Sequence, residues 1–128
     1  MNRTDELYCQ IYVDADVSSD ELLEKVAQLV GGTVDIDTVC TANYEIDIKK
    51  NEDFKPKRRH EEPDEFVYFR YYMDVDALPE QQRPAQIALV SKLLESLWSW
   101  RFQAVAACDY EKELPKAGGY KWRVPVPV

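Results

Sequence analysis

From Val34 to Ile48 the side chains alternate in character, and no other feature restricts the fold as much. Val34, Ile36, Thr38, Cys40, Ala42, Tyr44, Ile46 and Ile48 are mainly apolar. Between them stand Asp35, Asp37, Val39, Thr41, Asn43, Glu45 and Asp47. Successive side chains on a strand point to opposite faces. The stretch therefore predicts one long, half-buried strand from Thr33 to Lys50, with an apolar face and an acidic one.

The rest of the chain supplies elements that pack on such a strand. Leu7 to Asp14 alternates in the same way, with Leu7, Cys9, Ile11 and Val13 on one face. Ser18 to Glu21 has capping-box spacing and opens a helix. Leu22, Leu23, Val26, Leu29 and Val30 form its apolar stripe, and Gly31-Gly32 ends it. Glu65 to Val75 reads as a third strand, with Val67, Phe69, Tyr71, Met73 and Val75 opposite Phe66, Tyr68, Arg70, Tyr72 and Asp74. A second helix is expected from Pro84 to Trp100, with Ile87, Val90, Leu94, Leu97 and Trp98 inward. Phe102 to Cys108 is a short strand of small residues. Asn51 to Asp64 reads as an exposed charged hairpin loop, and residues 115–128 as an irregular tail. The order β-α-β-β-α-β in one domain, 1–128, predicts an α+β ferredoxin-like sandwich. Its four-stranded antiparallel sheet carries two helices on one face.

Composition limits the function. The chain has 128 residues, 45% hydrophobic and 31% charged, enough for one packed domain. Its formal net charge is −8. That argues against nucleic acid and anionic membranes as partners, since both are bound through basic groups. Three dispersed cysteines, Cys9, Cys40 and Cys108, are not a disulfide framework and suggest a reducing compartment. With a polar amino terminus and no long apolar run, the expectation is a cytoplasmic protein.

Strand alternation assigns a second face to the sheet, away from the helices. It carries Tyr8, Tyr12, Asp35, Asp37, Glu45, Asp47, Phe66, Tyr68, Arg70 and Tyr72. Aromatics with polar tips are enriched at protein interfaces, and carboxylates among them suit a Lys- and Arg-rich partner. RNA-recognition domains also expose aromatics on a sheet. The segment from Glu65 to Tyr72 lacks their basic and glycine positions, and its carboxylates would repel phosphate.

No catalytic constellation emerges. His60 is the sole histidine and sits in the charged loop. There is no CxxC spacing, no phosphate loop and no nucleophile elbow. Asp14 with Asp16, Asp35 with Asp37, and Asp74 with Asp76 could hold a hard cation, but read more simply as solvated carboxylates. Lys57-Arg58-Arg59 is balanced by Glu61, Glu62, Asp64 and Glu65. No enzyme activity, metal or cofactor is expected.

The carboxy-terminal third carries a family resemblance. Trp98-Ser99-Trp100, Ala104 to Glu111, Leu114-Pro115 and Gly118-Gly119 resemble the ending of small bacterial immunity proteins of contact-dependent growth inhibition and related polymorphic toxin systems. The resemblance implies an acidic cytoplasmic protein that binds the toxin domain of a cognate effector, frequently a basic nuclease, and blocks it. It carries over no contact residues. The alternative is a protein-interaction module that self-associates as a homodimer and has no toxin partner. The basic, aromatic Tyr120-Lys121-Trp122-Arg123 departs from an all-acidic interface and can fold back onto the sheet.

Overall fold

The computed structural model describes residues 5–55, 63–122 and 124. His60 and the run Lys57-Arg58-Arg59 lie outside them. The described chain is α+β: six antiparallel strands and two helices. In chain order these are β1 (Cys9–Asp14), α1 (Ser19–Val30), β2 (Thr33–Asp35), β3 (Thr38–Cys40), β4 (Tyr44–Lys50), β5 (Tyr71–Ala77), α2 (Arg83–Ser99) and β6 (Gln103–Ala107). The sheet order is β2-β3-β4-β5-β1-β6.

The expected four strands are thus six, because the long middle strand breaks twice. Asp35 pairs with Thr38, which leaves Ile36 and Asp37 as a two-residue hairpin turn. Such turns require a positive φ, and Ile36 adopts φ 58°. The second break is held by Thr41, whose hydroxyl accepts from the Asn43 and Tyr44 N–H groups at 3.3 and 3.2 Å. It also donates to the Tyr44 carbonyl at 3.1 Å. Each break reverses the parity of the strand. Val39, expected among the acidic positions, is buried in the core, whereas Thr38 and Cys40 turn away from it.

Ile36 sits badly in that turn. A β-branched residue at positive φ is strained, and Ile36 is 88% exposed, so burial returns nothing. Ile36→Asn is expected to raise stability by ~1 kcal/mol, since asparagine tolerates this conformation. Urea unfolding of the two proteins checks this; a loss of stability would mean that the turn is not left-handed at Ile36.

Both helices contribute to one core with Cys9, Ile11, Val13, Val39, Ile46, Ile48, Tyr71, Met73 and Val75. α1 follows the sequence closely. Ser18 accepts from the Glu21 N–H at 3.1 Å, Gly31 closes the helix at φ 69°, and Leu22, Leu23 and Val26 are buried. Burying each of these side chains contributes roughly 1.5–3 kcal/mol. α2 begins with Pro84 in its first turn. Gln86, fully buried, donates to the Leu7 carbonyl at 2.9 Å, and the Tyr110 hydroxyl donates to the same oxygen at 2.8 Å.

The third strand starts later than expected. Residues 63–68 form a 3-10 segment and the strand begins at Tyr71. Asn51 makes this possible: its side-chain amide donates to the carbonyls of Val67 and Phe69 at 2.8 and 2.7 Å. The tail is irregular as expected over 116–118, where Lys116, Ala117 and Gly118 all have positive φ, yet it packs on the fold up to Trp122. A 3-10 turn, Glu111–Glu113, leads into the kinked stretch Pro115–Gly119, which packs on β6. Gly118 and Gly119 lie against the carbonyls of Ala106 and Ala104, and the Trp98 indole donates to Ala104 O at 3.1 Å. The tail therefore covers the outer edge of β6, an edge otherwise open to foreign strands.

Candidate functional site

Residues directly opposite each other in an antiparallel ladder share a face. The register thus assembles rows across the sheet. One row runs Asp35, Thr38, Asp47, Asp74, Gln10, Ala107, through all six strands. The next runs Thr33, Cys40, Glu45, Asp76. A third runs Lys49, Tyr72, Tyr12, Val105. All three lie on the face away from the helices.

The first two rows gather the expected carboxylates. Asp35 and Glu45 are exposed, and Asp47 is half-buried, accepting from the Thr38 hydroxyl at 2.5 Å. Asp37 is in the turn, not in a strand. Its carboxylate still joins the group, 3.4 Å from the Thr38 hydroxyl and 3.8 Å from the Lys49 ammonium. Asp74 and Asp76, which read from sequence as solvated carboxylates, complete the surface. Their alternation with Tyr72 along β5 was the signal that places them there. Asp74 accepts from the Tyr8 hydroxyl and from Gln10 Nε2 at 3.1 Å.

The consequence is two successive like-charge pairs: Glu45 opposite Asp76, and Asp47 opposite Asp74. Like charges directly opposite on a sheet are destabilising. Cys40 lies among them, opposite Glu45. Desolvation, then Glu45, Asp35 and Asp47, hold its thiol above the ordinary range. That differs from the buried, helix-facing position expected for Cys40.

The aromatic half of the expected site is separate and partly covered. Tyr12 and Tyr72 are cross-strand neighbours with ring centroids 6.4 Å apart. Phe66 packs edge-on to Tyr12 at 5.2 Å, and Tyr120 edge-on to Phe66 at 5.9 Å. Burial, then the carboxylates of Asp53 and Asp74, raise the Tyr12 hydroxyl above its usual value, so it remains a hydrogen-bond donor at neutral pH. Val105, in the same row, is 1% exposed and Phe69 is buried, both outside the main core. Tyr68 ends the 3-10 segment instead of lying in a strand, with Lys55 Nζ 5.8 Å above its ring. Arg70 precedes β5 and lies 3.7 Å from Asp16 and 5.8 Å from the Phe54 ring. Only part of the tail folds back: Tyr120 reaches this face, whereas Trp122 packs on Trp98 at 4.7 Å, beside α2.

The face thus divides. Around β2, β3 and β4 it is acidic and open, edged by the exposed Ile36 at the hairpin tip. Around β1 and β6 it is aromatic and roofed by Phe66 and Tyr120. Such a surface can pair with cations and offer apolar anchors beside them. Among the described residues no group of three or more His, Cys, Asp or Glu is placed to hold a metal ion. Among them, too, no helix is long and apolar enough to cross a membrane. No protein-family model, curated protein or solved structure matches the chain.

Proposed function

We propose that this chain is an immunity protein that binds the toxin domain of a cognate bacterial effector and neutralises it through the acidic part of the sheet face. The observation that carries the reading is that like charges stand opposite each other in the ladder, Glu45 opposite Asp76 and Asp47 opposite Asp74. A sheet selected for stability alone would alternate charge here. Sites that break a local rule are where function is expected. A basic partner relieves the repulsion on binding, and its cations are drawn to the surface by the net charge of −8. Blocking is steric and electrostatic: carboxylates occupy the Lys and Arg groups that a nuclease uses for phosphate. Ile36 at the hairpin tip supplies apolar contact beside them.

The framework that we propose for this role is ferredoxin-like. The strands β6, β1, β5 and β4 form its four-stranded centre, and β2 with β3 is a hairpin added at one edge. The hairpin extends the acidic face beyond that centre.

Capture from the source bacterium tests the reading, with this protein as bait. The expected catch is the carboxy-terminal domain of a large secreted effector. Expression of that domain should stop growth, and this protein should restore it. A captured domain whose toxicity this protein does not relieve would overturn the proposal. Recovery of the protein alone would favour self-association through the exposed edge of β2, where Thr33, Val34 and Asp35 all face solvent.

A further inference from the structure

Cys9 and Cys108 meet at the end of the β1–β6 ladder. Gln10 pairs with Ala107, so the next antiparallel position sets Cys9 opposite Cys108. Both thiols are free, and each shifts the protonation of the other, Cys9 upward and Cys108 downward. The carbonyls of Ala104 and Ala106 point outward to the tail, which makes their positions, and that of Cys108, the non-hydrogen-bonded ones of the ladder. Such cross-strand pairs have Cα atoms about 4.5 Å apart, inside the roughly 4.4–6.8 Å range of disulfides. A pair that continues the ladder by one residue is within reach of a disulfide.

Their surroundings differ. Cys9 is fully buried, and Cys108 is half-buried. The Cys9 side chain, then the Tyr110 backbone, lower the Cys108 pKa against the opposing effects of burial, Glu111 and Asp109. The Cys108 N–H is itself held by the Glu111 carboxylate at 3.0 Å. Cys9 is driven the other way, by the Cys108 side chain and by burial. The buried Tyr110 hydroxyl is raised, mainly by burial, and stays protonated. One sulfur is thus accessible and activated, and the other waits behind it, the arrangement of a reactive and a resolving thiol.

We propose that Cys9 and Cys108 are a site of reversible oxidation by hydroperoxides, with Cys108 as the peroxide-reactive sulfur and Cys9 as the resolving one. Cys108 sulfur attacks a peroxide oxygen; an S–O bond forms, the O–O bond breaks, and the leaving oxygen departs as water or alcohol. Cys9 sulfur then attacks Cys108. The S–S bond forms as the S–O bond breaks, and the departing hydroxide takes the Cys9 proton as water. Each sulfur loses one electron and the peroxide gains two. A thiol reductant reverses the step. The bond links the first residue of β1 to the start of the tail, next to the Leu7 carbonyl that Gln86 and Tyr110 hold.

Peptide mapping of the native chain after hydrogen peroxide treatment at neutral pH tests this, with Cys40 as an internal control among its carboxylates. The expected result is a Cys9–Cys108 peptide that has lost two hydrogens. Cys108 should lose its thiol several-fold faster than Cys40, and dithiothreitol should restore both. Preferential oxidation of Cys40, disulfides only between chains, or Cys108 oxidised while Cys9 stays free would each overturn the proposal. In Cys9→Ser, Cys108 should stop at a sulfenic acid that dimedone traps. In Cys108→Ser, Cys9 should become inert; oxidation of Cys9 at the wild-type rate would reverse the assigned roles. The wild-type map does not depend on either variant folding.

Discussion

Lysine in place of both Asp35 and Glu45 is expected to weaken binding of the basic toxin domain about a hundredfold, or ~3 kcal/mol, with no loss of fold stability. The two side chains are exposed, so neither change empties the core. Glu45 faces Asp76 across the ladder, and a lysine there converts repulsion into attraction, a gain of roughly 0.2–1 kcal/mol. Asp47 and Asp37 are left alone because the first accepts from Thr38 and the second lies beside Lys49. Stability and affinity should thus move in opposite directions. A surface that is acidic only for solubility would show the stability gain alone. Titration calorimetry with the captured toxin domain and urea unfolding of the same samples read both quantities. Unchanged affinity in the folded variant would remove this face from the interface. Added salt should shrink the wild-type advantage, since exposed charges are screened beyond about 8–10 Å.

Gly119→Ala is expected to cost ~3 kcal/mol or more, well above the ~1 kcal/mol expected for Gly31→Ala. Both glycines have positive φ, 92° and 69°, so both substitutions meet the same kind of backbone penalty. They differ in space. A Cβ on Gly31 has nothing within 4 Å. On Gly119 it would stand 2.5 Å from the Ala104 carbonyl oxygen and 2.8 Å from the Trp98 ring. Neither can retreat, because the carbonyl belongs to β6 and already accepts the indole N–H. The tail would have to lift, uncovering the β6 edge and the Trp98–Trp122 contact. Denaturant unfolding of the two variants side by side checks this. Equal losses would mean that the tail does not pack against β6.

The helices and the parity of β1 and β5 were legible because their signals are local. Ser18, Gly31 and the stripe Leu22, Leu23, Val26 act within a few turns of chain, and the structure uses each as expected. Tyr72, Asp74 and Asp76 fall on one face of β5 by simple alternation. The breaks in the middle strand were not legible. Ile36 takes a left-handed conformation with no glycine or asparagine to announce it, and Thr41 forms its turn through its own hydroxyl. Two parity reversals cancel, so Asp35, Glu45 and Asp47 still share a face, while Val39 and Cys40 exchange sides. The 3-10 segment before β5 was hidden for a related reason: its residues alternate like a strand, and Asn51 and Lys55, far back in the chain, hold the carbonyls that a strand would have paired.

Alternation and composition by themselves determined an acidic α+β chain with one apolar and one polar sheet face, because strand and helix periods are properties of neighbouring residues. Tertiary structure alone decided which polar residues meet. Register between β4 and β5 depends on packing of Ile46, Ile48, Met73 and Val75 in a shared core, and that packing sets Glu45 against Asp76 and Asp47 against Asp74. It also brought Cys9 to Cys108 and folded Tyr120 over the aromatic end. These contacts join residues distant in sequence, and their energies exist only once the core has chosen the register.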